Sequence, residues 1–151
     1  MDNRSFSWTV RAVPGKDQTT TVYSRNHSFS VGRQASFDVK DPHLSAVEYL
    51  LGALAADLTA GFQVQAERRR TLITSIEMKL SGRLKNALTH LGVVGEEGQP
   101  GVDSIDGTLY VSSDAAPADL EHLWQNVLAR SPLFNTLKHC VSVAINLQAI
   151  L

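Results

Sequence analysis

The sequence predicts an α+β fold, with antiparallel sheets around one long buried central helix, on three observations. Period-two alternation marks short strands toward both ends of the chain. A run of small and apolar residues over about 46–68 has the length and start signal of a helix, and a second segment over about 117–130 repeats its apolar residues at helical spacing.

The N-terminal strands come first. Ser5 to Val13 alternates Phe6, Trp8, Val10 and Ala12 with polar neighbours, and Pro14-Gly15-Lys16-Asp17 turns the chain into a Thr-rich run from Thr19 to Ser24. A third short strand is expected at His27 to Val31, followed by a loop over 32–45 that contains Asp41-Pro42. Ser45 then caps the long helix, because Glu48 stands three residues later and completes a capping box. Over its first four turns this helix is small or apolar nearly all round, so it is expected to be buried on several sides. One small sheet covers one face; the other needs a second helix or a second subunit, and a homodimer with this helix near its centre is the expectation.

The second half repeats the pattern. Thr74, Ile76, Met78 and Leu80 form the apolar face of a strand over Ile73 to Leu80, and Asn86 to Leu91 forms a short helical turn before a Gly- and Glu-rich loop. Ile105, Gly107, Leu109 and Val111 mark a strand over Val102 to Ser112. Pro117 sits in the first turn of the second helix, with Asp119 and Glu121 at its positive end. Leu120, Leu123, Trp124, Val127 and Leu128 make it one-faced, and Ser131-Pro132 is expected to stop it. A last strand carries Val141, Val143, Ile145, Leu147 and Ala149 on one face.

Length and composition narrow the function. The 151 residues fit one domain, 1–151, and 43% hydrophobic with 19% charged residues is ordinary for a globular chain with a core. Fourteen basic and 15 acidic side chains leave a formal charge of −1, which provides no field to draw the chain onto nucleic acid or an anionic membrane. With no apolar run long enough for a bilayer and no apolar core after Met1, the protein is expected to be cytosolic. A single cysteine, Cys140, excludes an intrachain disulfide and a cysteine-based zinc cage. The histidines lack the spacing of a helical metal site, so neither metal nor cofactor is expected.

Asp57 is the least expected side chain in the long helix. By helical phase it shares a face with Leu50, Ala53, Leu54, Ala60, Gly61 and Val64. It reads either as a general base or ligand-binding carboxylate, or as a structural carboxylate paired with Arg33, a histidine or backbone amides. Ser131 has no activating motif around it and reads as a pocket wall. Cys140, placed in the last strand, points away from its neighbour His139 and lacks an electropositive setting. Arg68-Arg69-Arg70 complements the negative end of the helix.

The two helix motifs resemble those of the OsmC/Ohr family, the osmotically inducible and organic-hydroperoxide-resistance proteins. The family's first helix carries Glu-Leu-Leu-x-Ala-Leu-Ala-Ala-Cys, against Glu48-Tyr49-Leu50-Leu51-Gly52-Ala53-Leu54-Ala55-Ala56-Asp57 here. Its second helix ends in Cys-Pro, an apolar residue, three others and Leu, against Ser131-Pro132-Leu133-Phe134-Asn135-Thr136-Leu137 here. The resemblance implies an intertwined α+β homodimer. It also implies that Asp57 stands where the peroxide-attacking thiol belongs and Ser131 where the resolving thiol belongs, with Val47 at the position of a family glutamate and Arg33 as the candidate for an assisting arginine.

The expected function is therefore an OsmC-like homodimer without thiol peroxidase activity, whose interface cleft binds a small amphipathic ligand through Leu54, Asp57, Ser131, Leu133 and Phe134. The alternatives are a stress-response peroxidase that uses Cys140 with external thiols, and a hydrolytic enzyme with Asp57 as base.

Overall fold

A computed structural model describes residues 4–150 and resolves the strand signals into two three-stranded sheets. The chain forms two compact units, Met1–Leu50 and Leu51–Leu151.

In the first unit β1 (Arg11–Pro14), β2 (Thr20–Ser24) and β3 (His27–Val31) form an antiparallel meander in sequence order. The strand expected from Ser5 is shorter than its alternation suggests. Arg11 pairs with Tyr23 and β2 ends at Ser24, so residues before Arg11 have no strand in this sheet to pair with. Phe6 and Trp8 are accordingly more than four-fifths exposed. Arg11 instead places its guanidinium 4.4 Å from the Tyr23 ring centroid.

The helix α1 (Ala46–Arg68) starts as its sequence requires. Ser45 N donates to Glu48 Oε2 at 2.7 Å and Glu48 N donates to Ser45 Oγ at 3.2 Å, the two halves of a capping box. Ala46 N and Val47 N donate to the carbonyls of Arg33 and Gln34, which satisfies two donors of the first turn. Tyr49 packs on Phe29, ring centroids 5.0 Å apart, and donates its hydroxyl to Ser30 O at 2.8 Å.

In the second unit β4 (Ile73–Lys85), β5 (Gly101–Ser113) and β6 (Ser142–Ile150) lie in that order. The β4–β5 pair is antiparallel, but β6 runs parallel to β5, which corrects the expectation of wholly antiparallel sheets. The cause is the connection: α3 (Pro117–Arg130) and α4 (Pro132–Leu137) return the chain to the end of β5 from which β6 can only run in the same direction. A further short helix, α2 (Ala87–His90), follows β4.

The core of this unit lies between helices and sheet. Leu54, Leu58, Phe62 and Ala66 form one stripe of α1, Leu120, Leu123, Trp124 and Val127 one face of α3, and Ile105, Leu109, Val111 and Ile145 the covering sheet face. Each large apolar side chain buried here stabilises the fold by about 1.5–3 kcal/mol. Trp124 also donates Nε1–H to Ile145 O at 3.3 Å, so its indole does not leave an unpaired donor inside. Gly107 has no room for a side chain: a Cβ would lie 2.3 Å from Lys79 O and 2.4 Å from Leu80 Cδ2.

Within the chain, α1 is buried along Leu54, Leu58, Phe62 and Ala66; Ala53, Ala56, Ala60 and Val64 are exposed. Asp57 lies off the buried stripe and is partly exposed, because successive residues of that stripe are four apart and position 57 falls between them.

Candidate functional site

Asp57 and Ser131 are 74 positions apart and meet through a hydrogen bond, Ser131 Oγ donating to Asp57 Oδ2. Asp57 is presented by α1 one turn before Gly61, where a Cβ would stand 3.1 Å from Val127 Cγ1 of α3. The missing side chain at Gly61 permits close approach of the two helices, and so brings the end of α3 within reach of Asp57.

Ser131 occupies the junction between α3 and α4, where the expected helix stop proves to be a restart. Its N–H donates to Val127 O at 2.9 Å and closes α3, while its Oγ accepts from Phe134 N at 2.9 Å and caps α4. Pro132 fits the first helical position because its missing N–H would have had no intrahelical partner. Asn135 Nδ2 donates to Leu128 O, Ala129 O and Ser131 O at 3.0, 3.2 and 2.7 Å, and so covers carbonyls left open at the end of α3. Ser-Pro is both a stop and a start signal; only an apolar continuation, Leu133-Phe134, distinguishes the second helix.

Ser131 is 5% exposed, and its hydroxyl is committed in both directions, its proton to Asp57 and one lone pair to Phe134 N–H. Asp57 Oδ1 accepts no hydrogen bond among the described residues. The partner of Asp57 is therefore Ser131, not the Arg33, histidine or backbone amides expected of a structural carboxylate. Leu133 and Phe134 are partly buried against the core, Leu54 is completely buried in it, and Lys138 Nζ lies 5.8 Å from the Phe134 ring centroid. Arg33 belongs to the other unit, where it lines a cavity with Asp17, Gln18, Asp41 and His43.

Cys140 is not in the last strand. It sits in the turn after α4, exposed, with Sγ 3.4 Å from Leu137 O, because α4 and its terminal turn use residues that alternation alone assigns to the strand. Among the described residues no group of three His, Cys, Asp or Glu side chains is arranged to hold a metal ion. No helix among them is long and apolar enough to cross a membrane.

An α1 helix packed with α3 on a mixed sheet, joined in sequence to an N-terminal antiparallel meander, defines an α+β protein with its polar pair at the helix junction. The family model described as OsmC-like protein matches residues 39–146, and the chain belongs to that family. The fold is shared with an OsmC-like protein from Mycoplasma pneumoniae at 18% identity and TM-score 0.81, over all of both chains. It is shared with an organic hydroperoxide resistance protein OsmC from Legionella pneumophila at 10% identity and TM-score 0.67, over 95% of this chain and 97% of that one. The organic hydroperoxide resistance protein OhrB of Bacillus subtilis is similar at 15% identity and TM-score 0.64, over 95% and 98% of the two chains. No curated protein matches the sequence.

Proposed function

We propose that this member of the OsmC-like family has lost thiol peroxidase chemistry and uses the Asp57–Ser131 site to bind a small amphipathic ligand, as a cytosolic homodimer. The observation that carries the reading is the hydrogen bond between the two residues that match the family's thiol positions. Peroxide reduction requires a thiolate that becomes a sulfenic acid and a second thiol that resolves it. A carboxylate bonded to a hydroxyl follows neither step.

Binding chemistry fits the pair better. Asp57 Oδ1 remains able to accept from a ligand donor, and Leu133 and Phe134, which follow Ser131 in the chain, are only partly buried and keep some apolar surface accessible. The homodimer is supported by the exposed small-residue face of α1, Ala53, Ala56, Ala60 and Val64, which suits close approach of another copy.

Native mass spectrometry of protein isolated from cells without denaturation tests the reading, together with an organic hydroperoxide consumption assay with dithiothreitol as reductant. The expected result is a dimer carrying a small molecule that Asp57→Asn releases, with no hydroperoxide turnover. Turnover abolished by Cys140→Ser would return the chain to the peroxidases.

A further inference from the structure

The hairpin between β1 and β2 carries two side chains at a conformational cost that an ordinary turn avoids. Thr19 N donates to Lys16 O at 3.2 Å, and the two residues between, Asp17 and Gln18, both adopt left-handed backbone with φ of 57° and 60°. Turns with two such positions favour Asn-Gly, because glycine enters this region freely and glutamine does not. Non-glycine residues held there tend to cluster where a side chain is used.

Both side chains border the cavity that also holds Arg33, Asp41 and His43, with a volume of about 250 Å³. Its frame is held by two backbone bonds and one side-chain bond. Gly32 N donates to Leu44 O at 2.8 Å, Arg33 O accepts from Ala46 N at 3.0 Å, and Ser36 Oγ donates to Asp41 Oδ2. At Gly32 a Cβ would lie 3.0 Å from His43 Cβ, so glycine lets the two edges of the loop approach. By contrast, the Arg33 guanidinium, the His43 imidazole, the Asp17 carboxylate and the Gln18 amide have no hydrogen-bond or ion-pair partner among the described residues. A rigid frame around uncommitted charges of both signs is the arrangement of a preorganised binding site.

We propose that this cavity binds a small zwitterion of the α-amino-acid class. The Arg33 fork takes the ligand carboxylate in a bidentate pair, and Asp17 takes the ammonium, since one oxygen of Asp41 is already held by Ser36. The volume lies below the ~300–1,000 Å³ of pockets for drug-sized molecules, which limits the ligand to something smaller. This site is independent of the Asp57–Ser131 reading.

The test is isothermal titration calorimetry and thermal shift of the full chain with the twenty L-amino acids, with acetate and methylamine as one-ended controls. At least one amino acid is expected to bind while neither control does. Arg33→Gln and Asp17→Asn should each weaken that binding by about tenfold or more, the worth of a charge-assisted hydrogen bond. The double variant Asp17→Asn with Gln18→Gly should fold at least as stably as the parent, because it relaxes the turn, and still lose binding. Absence of binding across the panel up to about 10 mM, weaker than the millimolar range in which the faintest specific ligands register, overturns the proposal. So does acetate binding equal to that of the amino acids, or binding that survives both single substitutions.

Discussion

The polar groups at Asp57 and Ser131 are committed to each other, whereas the side chains of Arg33, His43 and Asp17 have no hydrogen-bond or ion-pair partner among the described residues. Ser131 is 5% exposed and bonded to both Asp57 and Phe134 N, so its side chain supports the start of α4 and a long-range contact. Arg33, His43 and Asp17 are exposed, and the backbone bonds nearby run through Gly32, Arg33 O and Thr19. The difference separates two ways in which a polar side chain persists in a fold: as part of what stabilises it, or as something the stable fold displays. The first kind is costly to remove even without ligand; the second is costly only to binding.

The largest effect should come from Ser131→Ala. It removes the α4 cap and leaves Asp57 without its donor, for a loss of about 2 kcal/mol. At this chain length that lowers Tm by roughly 4–8 °C, readable by circular dichroism or calorimetry. A loss below about 0.5 kcal/mol would place Ser131 with the displayed residues and break the contrast. Next in size is the coupling between the two partners. Asp57→Asn, Ser131→Ala and the double variant should form a cycle with an interaction energy of about 0.5–2 kcal/mol by urea denaturation, where independent sites would add. If Asp57→Cys with Ser131→Cys closes a disulfide under mild oxidant, the family positions correspond; thiols that remain free by titration would sink the correspondence.

Arg33→Ala and His43→Ala should each change unfolding free energy by less than about 0.5 kcal/mol, as expected of exposed residues without partners. A larger loss in either would mean that the cavity wall carries part of the fold.

The same contrast explains what was legible in the sequence. The capping box at Ser45 and Glu48 was readable because its two halves are local and its chemistry is written at fixed spacing. The apolar faces of β5 and α3 were readable for the same reason, since periodicity reports a surface already covered by neighbours. Asp57 stood out as a misfit, but its partner could not be found by spacing, because a contact across 74 positions depends on how α1 and α3 pack. The strand expected from Ser5 failed in the opposite way: alternation specifies a face and says nothing of whether a partner strand extends far enough. Helix α4 was hidden because Ser-Pro ends one helix and starts another with the same two residues. The cavity went unread because its turn signal, Pro14-Gly15-Lys16-Asp17, located the reversal one or two residues early and so gave no reason to ask about the side chain at Gln18.

A third polar pair lies between the two extremes and makes the smallest prediction. Arg83 donates Nε–H and Nη2–H to Asp103 at 3.0 and 2.9 Å, an ideal fork geometry that nevertheless faces solvent. The hydrogen bond from Arg83, assisted by its charge, holds the Asp103 carboxyl below the ordinary aspartate value, and the same partner raises the guanidinium further above neutrality. A carboxyl whose folded value is depressed binds its proton more readily in the unfolded chain. Its contribution is fully present above the unfolded value and is lost as pH falls through the folded one. Asp103→Asn should therefore leave stability near pH 7 almost unchanged, because water competes for both partners of an exposed pair. It should make the acid side of the stability curve shallower below about pH 4, the ordinary range of aspartate titration. Urea denaturation of parent and variant at neutral and acid pH measures both quantities. A large loss at neutral pH would show that exposure alone does not decide whether a polar contact carries stability, and would move the dividing line of the comparison from burial to geometry.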